Sequence, residues 1–266
     1  MNIYDIAKEA GVSISTVSRV LNDKGYVSAK TKARIQEVLK RNKYQPSAIA
    51  RGLVSGTMKN VAIVTVDVRH PHYAMTTFIM EQKLTGLGYM VLVCNTGAKK
   101  EECMKYLRML SRNQVEGVIL VGSEFNELCD PDELSQLLPE TPIVMANGEL
   151  KLPSVQSILV DEGYGVQLAV QHLYDRGHRN ISFVMDTQKD AAVRKRNGFL
   201  MKMKQFGYDD AKERILYTGY GVEGGEQAAK QIVGDARRYD AAIFTEDLTA
   251  IYAMNTLQNM GYRIPE

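Results

Sequence analysis

Residues 3–22 read IYDIAKEAGVSISTVSRVLN, and their periodicity decides the architecture of the N-terminal part. Ile3, Ile6, Ala7 and Ala10 recur at helical spacing, which predicts a first helix over 3–10. Gly11-Val12-Ser13 interrupts it, since glycine is free to take the left-handed backbone that a tight turn requires. A second helix over about 15–22 buries Val17, Val20 and Leu21 on one side. Ser15, Thr16, Ser18, Arg19 and Asn22 occupy the other. Two helices joined by a glycine-containing turn of this length make a helix-turn-helix, whose second helix lies in the major groove of DNA. The small neighbours of Arg19 permit close approach, and an arginine fork on guanine O6 and N7 contributes about 1–3 kcal/mol of discrimination. A third amphipathic helix over about 31–43, with Ile35, Val38 and Leu39, closes the core. A plain three-helix bundle with a wet polar face is the alternative that these periodicities leave open.

Charge favours the DNA reading. Residues 1–59 hold 11 Lys and Arg against 4 Asp and Glu, whereas the rest of the chain holds 22 against 27. The net charge of +2 thus conceals a basic head on an acidic body, and only the head suits a polyanion. Next comes SAIARGL (47–53), helical in pattern but only about two turns long, too short to be stable alone in water. It is expected to serve as a hinge and linker that folds against a partner. Arg51 would face phosphate, and Leu53 would wedge into a base step from the minor groove.

From residue 60 the rhythm changes. Short apolar strands near 61–66, 90–93, 117–121 and 142–145 alternate with helices. A second series is expected to open at 157–160 and to continue at 181–185, 215–218 and 241–245. Near-continuous apolar strands alternating with helices predict the α/β class, with parallel sheets covered on both faces. The expected division is a helix-turn-helix domain at 1–46, a hinge at 47–59 and two lobes at 60–150 and 151–266. Open α/β sheets bind ligands beyond the carboxyl ends of their strands. The residues there are Asp67, His70-Pro71-His72-Tyr73, Asn95-Thr96, Ser123, Asn147, Asp161, Asp186 and Glu246-Asp247. Their carboxylates, amides, hydroxyls and aromatic ring suit a polyhydroxylated ligand such as a sugar.

Composition and motifs exclude several classes. The 266 residues, 45% hydrophobic and 24% charged, match about two ordinary globular domains. No apolar run approaches the ~20 residues of a membrane span, and the N-terminus lacks the apolar core of an export signal, so a cytoplasmic location is expected. Cys94, Cys103 and Cys129 have neither disulfide-framework nor metal-ligand spacing and read as reduced thiols. His70 and His72 lack the acid or cysteine partners of a metal site, so no metal is expected. Gly219-Tyr220-Gly221-Val222-Glu223-Gly224 matches the dinucleotide fingerprint, but as a lone match late in the chain. No cofactor is expected. Neither a G-x-S-x-G turn nor a phosphate-binding loop stands out, so the chain reads as a non-enzyme.

The motifs IYDIAKEAGVSISTVSRVLN (3–22), YQPSAIARGL (44–53), HPHY (70–73), VDEGYG (160–165), HLYDRGHRNISFV (172–184), RKRNGF (194–199) and AIFTEDLTA (242–250), closing with LQNMGYRIPE (257–266), carry a resemblance. Along essentially its entire length the chain resembles the lactose/galactose-repressor family of bacterial transcription regulators. The resemblance implies a homodimeric repressor of operator DNA with a hinge helix and a two-lobed effector domain like periplasmic sugar-binding proteins. It implies base reading by Ser15, Thr16 and Arg19, phosphate contacts from Tyr4, Ser13, Ser18 and Asn22, and insertion of Leu53. Effector contacts would come from Tyr73, from Arg194, Lys195 and Arg196, and from Asp247, beside the strand-end residues His70 and Asn95.

Two departures alter the expectations. Lys195 stands where relatives that bind simple sugars or purines place arginine, and a lysine point charge does not replace an arginine fork. The effector is therefore expected to be a sugar or a phosphorylated or acidic metabolite, with a regulatory protein as the other possible signal. The sequence also stops at Glu266, ~60 residues before the family's usual end, which predicts a fragment or a protein without effector control. The rival reading is a small-molecule binding module or enzyme whose head mediates other interactions.

Overall fold

The computed structural model describes residues 2–44 and 57–265. Residues 47–56 of the expected hinge, with Arg51 and Leu53, lie outside the described residues.

Three helices form the head: α1 (Ile3–Ala10), α2 (Ile14–Leu21) and α3 (Ala29–Arg41). A capping box starts α1, with the Asn2 side chain accepting from the Tyr4 and Asp5 amides and Asp5 accepting from the Asn2 amide. Gly11 ends it at φ 60°, in the left-handed region. Ser13 and Ser28 cap α2 and α3, each accepting the backbone amide three residues on. Ile6, Ala7, Ala10, Val17, Ile35 and Val38 are buried together, with Val20, Leu21 and Leu39 packed against them. Arg41 and Asn42 both bond Glu9, tying the end of α3 to α1.

The body contains two parallel sheets. The first has five strands in the order β2-β1-β3-β4-β5: β1 (Asn60–Thr65), β2 (Met90–Asn95), β3 (Gly117–Val121), β4 (Ile143–Ala146) and β5 (Val155–Ile158). The second has the order β7-β6-β8: β6 (Ile181–Met185), β7 (Ile215–Tyr217) and β8 (Ala241–Phe244). The segment expected to open the second sheet, near 157–160, belongs to the first. There β5 pairs in parallel with β4, from Ile143↔Val155 to Ala146↔Ile158. An edge strand and the opening strand of a new sheet share one sequence pattern; the hydrogen-bonded neighbour distinguishes them.

Between the strands run α4 (Pro71–Gly86), α5 (Lys100–Arg112), α6 (Phe125–Leu128), α7 (Pro131–Leu137), α8 (Glu162–Asp175), α9 (Asp190–Gln205), α10 (Gly221–Gly234) and α11 (Asp247–Asn259). All of β1 is buried, which is why NVAIVT carries apolar residues almost without interruption. The first core gathers Ala62, Val64, Leu107, Leu120, Phe125 and Met145. The second sheet is covered on one face by Phe183, Phe199 and Met203 and on the other by Val184, Ala228 and Ala253. Cys94, Cys103 and Cys129 are buried free thiols, the last two with sulfurs 3.6 Å apart.

Register places the site. Thr65 is level with Asn95 and with Val121, so the turns after β1, β2 and β3 emerge together. Met185 is level with Tyr217, and Val184 with Phe244, which aligns the turns after β6, β7 and β8. Behind them α8 and α9 meet at Gly163 and Gly198, where a Cβ on Gly198 would lie 2.1 Å from the Gly163 carbonyl oxygen. Backbone cannot yield as a flexible side chain can. Gly198→Ala is therefore expected to cost about 1–3 kcal/mol as the two helices are forced apart. Denaturant unfolding checks this; an unchanged midpoint would show that the helices separate freely.

Candidate functional site

The first site is the outer face of α2. Ser15 and Arg19 are exposed, Thr16 and Ser18 partly so, while Val17 is fully buried. The Ser13 hydroxyl lies 2.8 Å from the hydroxyls of both Ser15 and Thr16, so the helix start presents a cluster of three. Asn22 Nδ2 donates to the Ser18 carbonyl at 2.9 Å, which fixes it at the helix end. The stem of Arg19 passes Gly25, where an added Cβ would meet its Cδ at 3.5 Å. Among the described residues Arg19 has no acidic partner.

Electrostatics point the same way. A carboxylate in the first turn stabilises a helix; α1 carries one there, and α5 and α7 carry two each. Neither α2 nor α3 has any, which leaves both positive ends open to an anion. Tyr4 is 66% exposed on α1, and Tyr26, 90% exposed just beyond α2, stands out in water. Tyr26 escaped the sequence reading because it belongs to no periodic pattern.

The second site is a cavity of about 560 Å³ lined by turns from both sheets. From the first sheet come His70 and Tyr73 at the start of α4, Ser123 and Glu124 after β3, and Asn147 after β4. From the second come Asp186 and Lys189 after β6, Lys195 on α9, Tyr220 before α10, and Glu246-Asp247 at the start of α11. Polar contacts cross between the two walls. Lys189 Nζ is 3.0 Å from Glu124 Oε1, Asn126 Nδ2 donates to Asp190 at 3.0 Å, and His70 Nε2 is 3.6 Å from Glu246 Oε2. Asn147 Nδ2 donates to Glu162 at 2.8 Å.

The Tyr73 hydroxyl donates to Glu124 at 2.8 Å; burial and the charge of Glu124 hold its pKa well above that of a free phenol. Burial raises the Glu246 carboxyl as well, against the opposing charge of Lys195. Tyr220 is raised by burial first and then by the charges of Glu246, Asp186 and Asp67. His70 sits between Tyr73 and Tyr220, ring centroids 5.2 and 5.6 Å away, so an aromatic strip runs along one side.

Of the expected effector residues, His70, Tyr73, Lys195 and Asp247 line this cavity. Three others are placed elsewhere. Asn95 accepts the Val68 amide at 3.0 Å and holds the turn that leads to α4. Arg194 is paired with Glu162 at 2.9 Å, and Arg196 lies against the neighbouring Asn197 side chain. Successive residues on a helix point about 100° apart, so only one of this basic triplet reaches the cavity. Asp161, another of the strand-end residues, caps α8 by accepting the Tyr164 amide at 2.8 Å.

The charge lining the cavity bears on the class of effector. Six carboxylates, Asp67, Glu124, Glu162, Asp186, Glu246 and Asp247, line the cavity against two lysines, Lys189 and Lys195. Asp67 and Glu162 are also paired with arginines, Arg69 and Arg194. Glu124, Glu162, Lys189 and Tyr220 are the charged and aromatic lining residues that sequence reading missed. All four lie three or four residues beyond their strand ends, so extending the strand-end rule along each turn would have found them.

Tyr220 lies within the glycine-rich stretch 219–224, whose glycines have a structural use. A Cβ on Gly224 would fall 1.7 Å from the Gly219 carbonyl oxygen, so the motif packs the start of α10 onto its own turn. Among the described residues no group of three His, Cys, Asp or Glu side chains could hold a metal ion, and no helix is long and apolar enough to cross a membrane.

Comparison with known proteins gives the same two parts. The family model described as bacterial regulatory proteins, lacI family, matches residues 2–47. That described as periplasmic binding proteins and sugar binding domain of LacI family matches residues 58–266. The chain is 31% identical over 268 residues to an HTH-type transcriptional regulator of Lachnoclostridium phytofermentans, covering all of this chain and 80% of that protein. It is 29% identical over 265 residues to the HTH-type transcriptional repressor PurR of Mannheimia succiniciproducens, covering 99% and 79%. Its fold is similar to that of the Lac repressor dimer bound to operator and the anti-inducer ONPF, with TM-score 0.84, 21% identity and coverage of 99% and 79%.

Proposed function

The chain belongs to the lacI family of bacterial regulatory proteins, and from that premise we propose that it is a non-catalytic, cytoplasmic homodimer that reads a two-fold symmetric operator under control of a small effector. The observation that carries this is the exposed face of α2, whose start bears hydroxyls and no carboxylate and whose last turn carries Arg19, without an acidic partner among the described residues. Arg19, Ser15 and Thr16 read base edges, while Tyr4, Ser13, Ser18 and Asn22 hold the phosphates. Arg51 and Leu53 add backbone and minor-groove contacts from the hinge.

The dimer is supported by an apolar surface of the first lobe. Met75, Phe78 and Ile79 project from α4 into solvent beside Met90 and Val93 of the edge strand β2. An edge strand flanked by exposed apolar side chains invites a partner, and a two-fold axis through this face would present two α2 helices to two half-sites.

The effector occupies the cavity between the two sheets, touching His70, Tyr73, Lys195 and Asp247 together with Glu124, Asp186 and Glu246. Binding there competes with the Lys189–Glu124 contact between the walls and so changes how the two walls close. The change in closure resets the separation of the two hinges. Coupling of this kind is reciprocal: operator binding alters effector affinity by the same factor.

Selection of duplexes from a random pool, followed by anisotropy titration at several salt concentrations, tests the DNA reading. A palindromic consensus is expected, with log affinity falling linearly in log salt as phosphate counterions are released. Equal affinity for every duplex at every ionic strength would sink the proposal and favour a binding module whose head serves another purpose.

A further inference from the structure

The charges of the cavity do not balance locally. Glu124 is held by Lys189, Glu162 by Arg194 and Asp67 by Arg69. Asp186 and Asp247 have no ion-pair partner among the described residues. Glu246 has His70, at 3.6 Å, the more distant charge of His72, and the charge of Lys195, whose ammonium donates to the Thr245 carbonyl at 2.8 Å.

Asp186 is not a stray surface acid. Its two oxygens accept the Thr245 hydroxyl at 2.7 Å and the Thr249 hydroxyl at 2.8 Å, and both threonines are buried. The carboxylate is therefore fixed in place. The negative charges of Asp186 and Glu246 both reach the Tyr220 phenol, whose ring lies beside that of His70. Two cavity-lining residues, His70 and Asn147, each keep a buried polar atom without a hydrogen-bond partner, Nδ1 and Oδ1 respectively. Buried polar atoms are normally satisfied, so these two are available to bond a polar ligand.

A fixed carboxylate, a second one desolvated beside it and an aromatic ring make an environment for a cation. Coulomb attraction strengthens as water is excluded, and the π face of a tyrosine adds to it. A neutral sugar would leave the like charges facing each other, and a phosphate would add to the repulsion.

We propose that the effector carries a protonated amine, held by the Asp186 and Glu246 carboxylates beside the Tyr220 ring, which makes amino sugars and aminated polyols its chemical class. This rests on the assignment of the cavity as the effector site.

Calorimetric titration of the full chain with matched pairs tests it: glucosamine against glucose, galactosamine against galactose, and fully deacetylated chitobiose against cellobiose, with glucose 6-phosphate as the anionic probe. At least one aminated member is expected to bind about 10-fold or more tightly than its neutral counterpart. That ratio should fall toward one in Asp186→Asn, and also as pH rises through the amine's own pKa. Equal affinities within every pair, tighter binding of glucose 6-phosphate, no heat from any amine, or an amine preference unchanged by Asp186→Asn would each overturn the proposal. Failure of the cavity assignment looks different. In that case whichever probe binds would do so unchanged in the double variant Tyr73→Ala, Lys195→Ala.

Discussion

Arg19→Ala lowers affinity for the selected operator by about 1–3 kcal/mol, roughly 5- to 150-fold, while binding to random DNA changes far less. The asymmetry follows from what the side chain can reach. Arg19 lies on the exposed side of α2, its stem passing the bare backbone of Gly25, and no carboxylate among the described residues competes for its guanidinium. A fork held in this way can meet both acceptors on one guanine, which only the correct base pair offers. Truncation should therefore relax specificity at one position in each half-site, and the slope of log affinity against log salt should change little. Anisotropy titrations on the operator, on single-base variants and on random duplexes measure all three quantities. An equal loss on every duplex would reassign Arg19 to phosphate.

Phe78→Glu shifts the protein to monomers in sedimentation experiments and weakens operator binding by on the order of 10²–10⁴-fold. Phe78 is 58% exposed on α4, with Met75 and Ile79 alongside, so its replacement leaves the buried core of the monomer untouched. In the proposed dimer each copy contributes this face, and one substitution buries two carboxylates that have no partner. Two weakly binding heads owe their joint affinity to the connection between them. Thermal unfolding of the monomer should stay cooperative, which separates loss of assembly from loss of folding. If Phe78→Glu remains dimeric, the copies associate through another surface.

Much of this was legible in advance, and the reason is locality. Helix boundaries in the head rest on capping residues, Gly11 and a 3.6-residue repeat, all within a few positions of one another. Buried parallel strands such as β1 announce themselves as continuous apolar runs. Strand-end logic likewise placed His70, Tyr73, Asn147, Asp186 and Asp247 in one cleft. It failed at Asn95 and Asp161, where the same polar residue types satisfy backbone amides of the turn instead. Sequence does not say which acceptor a neighbouring N–H will choose.

The amino-acid sequence by itself determined that a helix-turn-helix precedes two parallel α/β units, because those patterns are written in spacing and polarity along short stretches. Only the tertiary structure decided that β5 completes the first sheet, that Lys195 alone of its basic triplet reaches the cavity, and that carboxylates outnumber cations there. Each of those facts depends on which side chains from distant segments share a volume. Charge balance inside a cavity is a sum over such neighbours, and no local pattern encodes it.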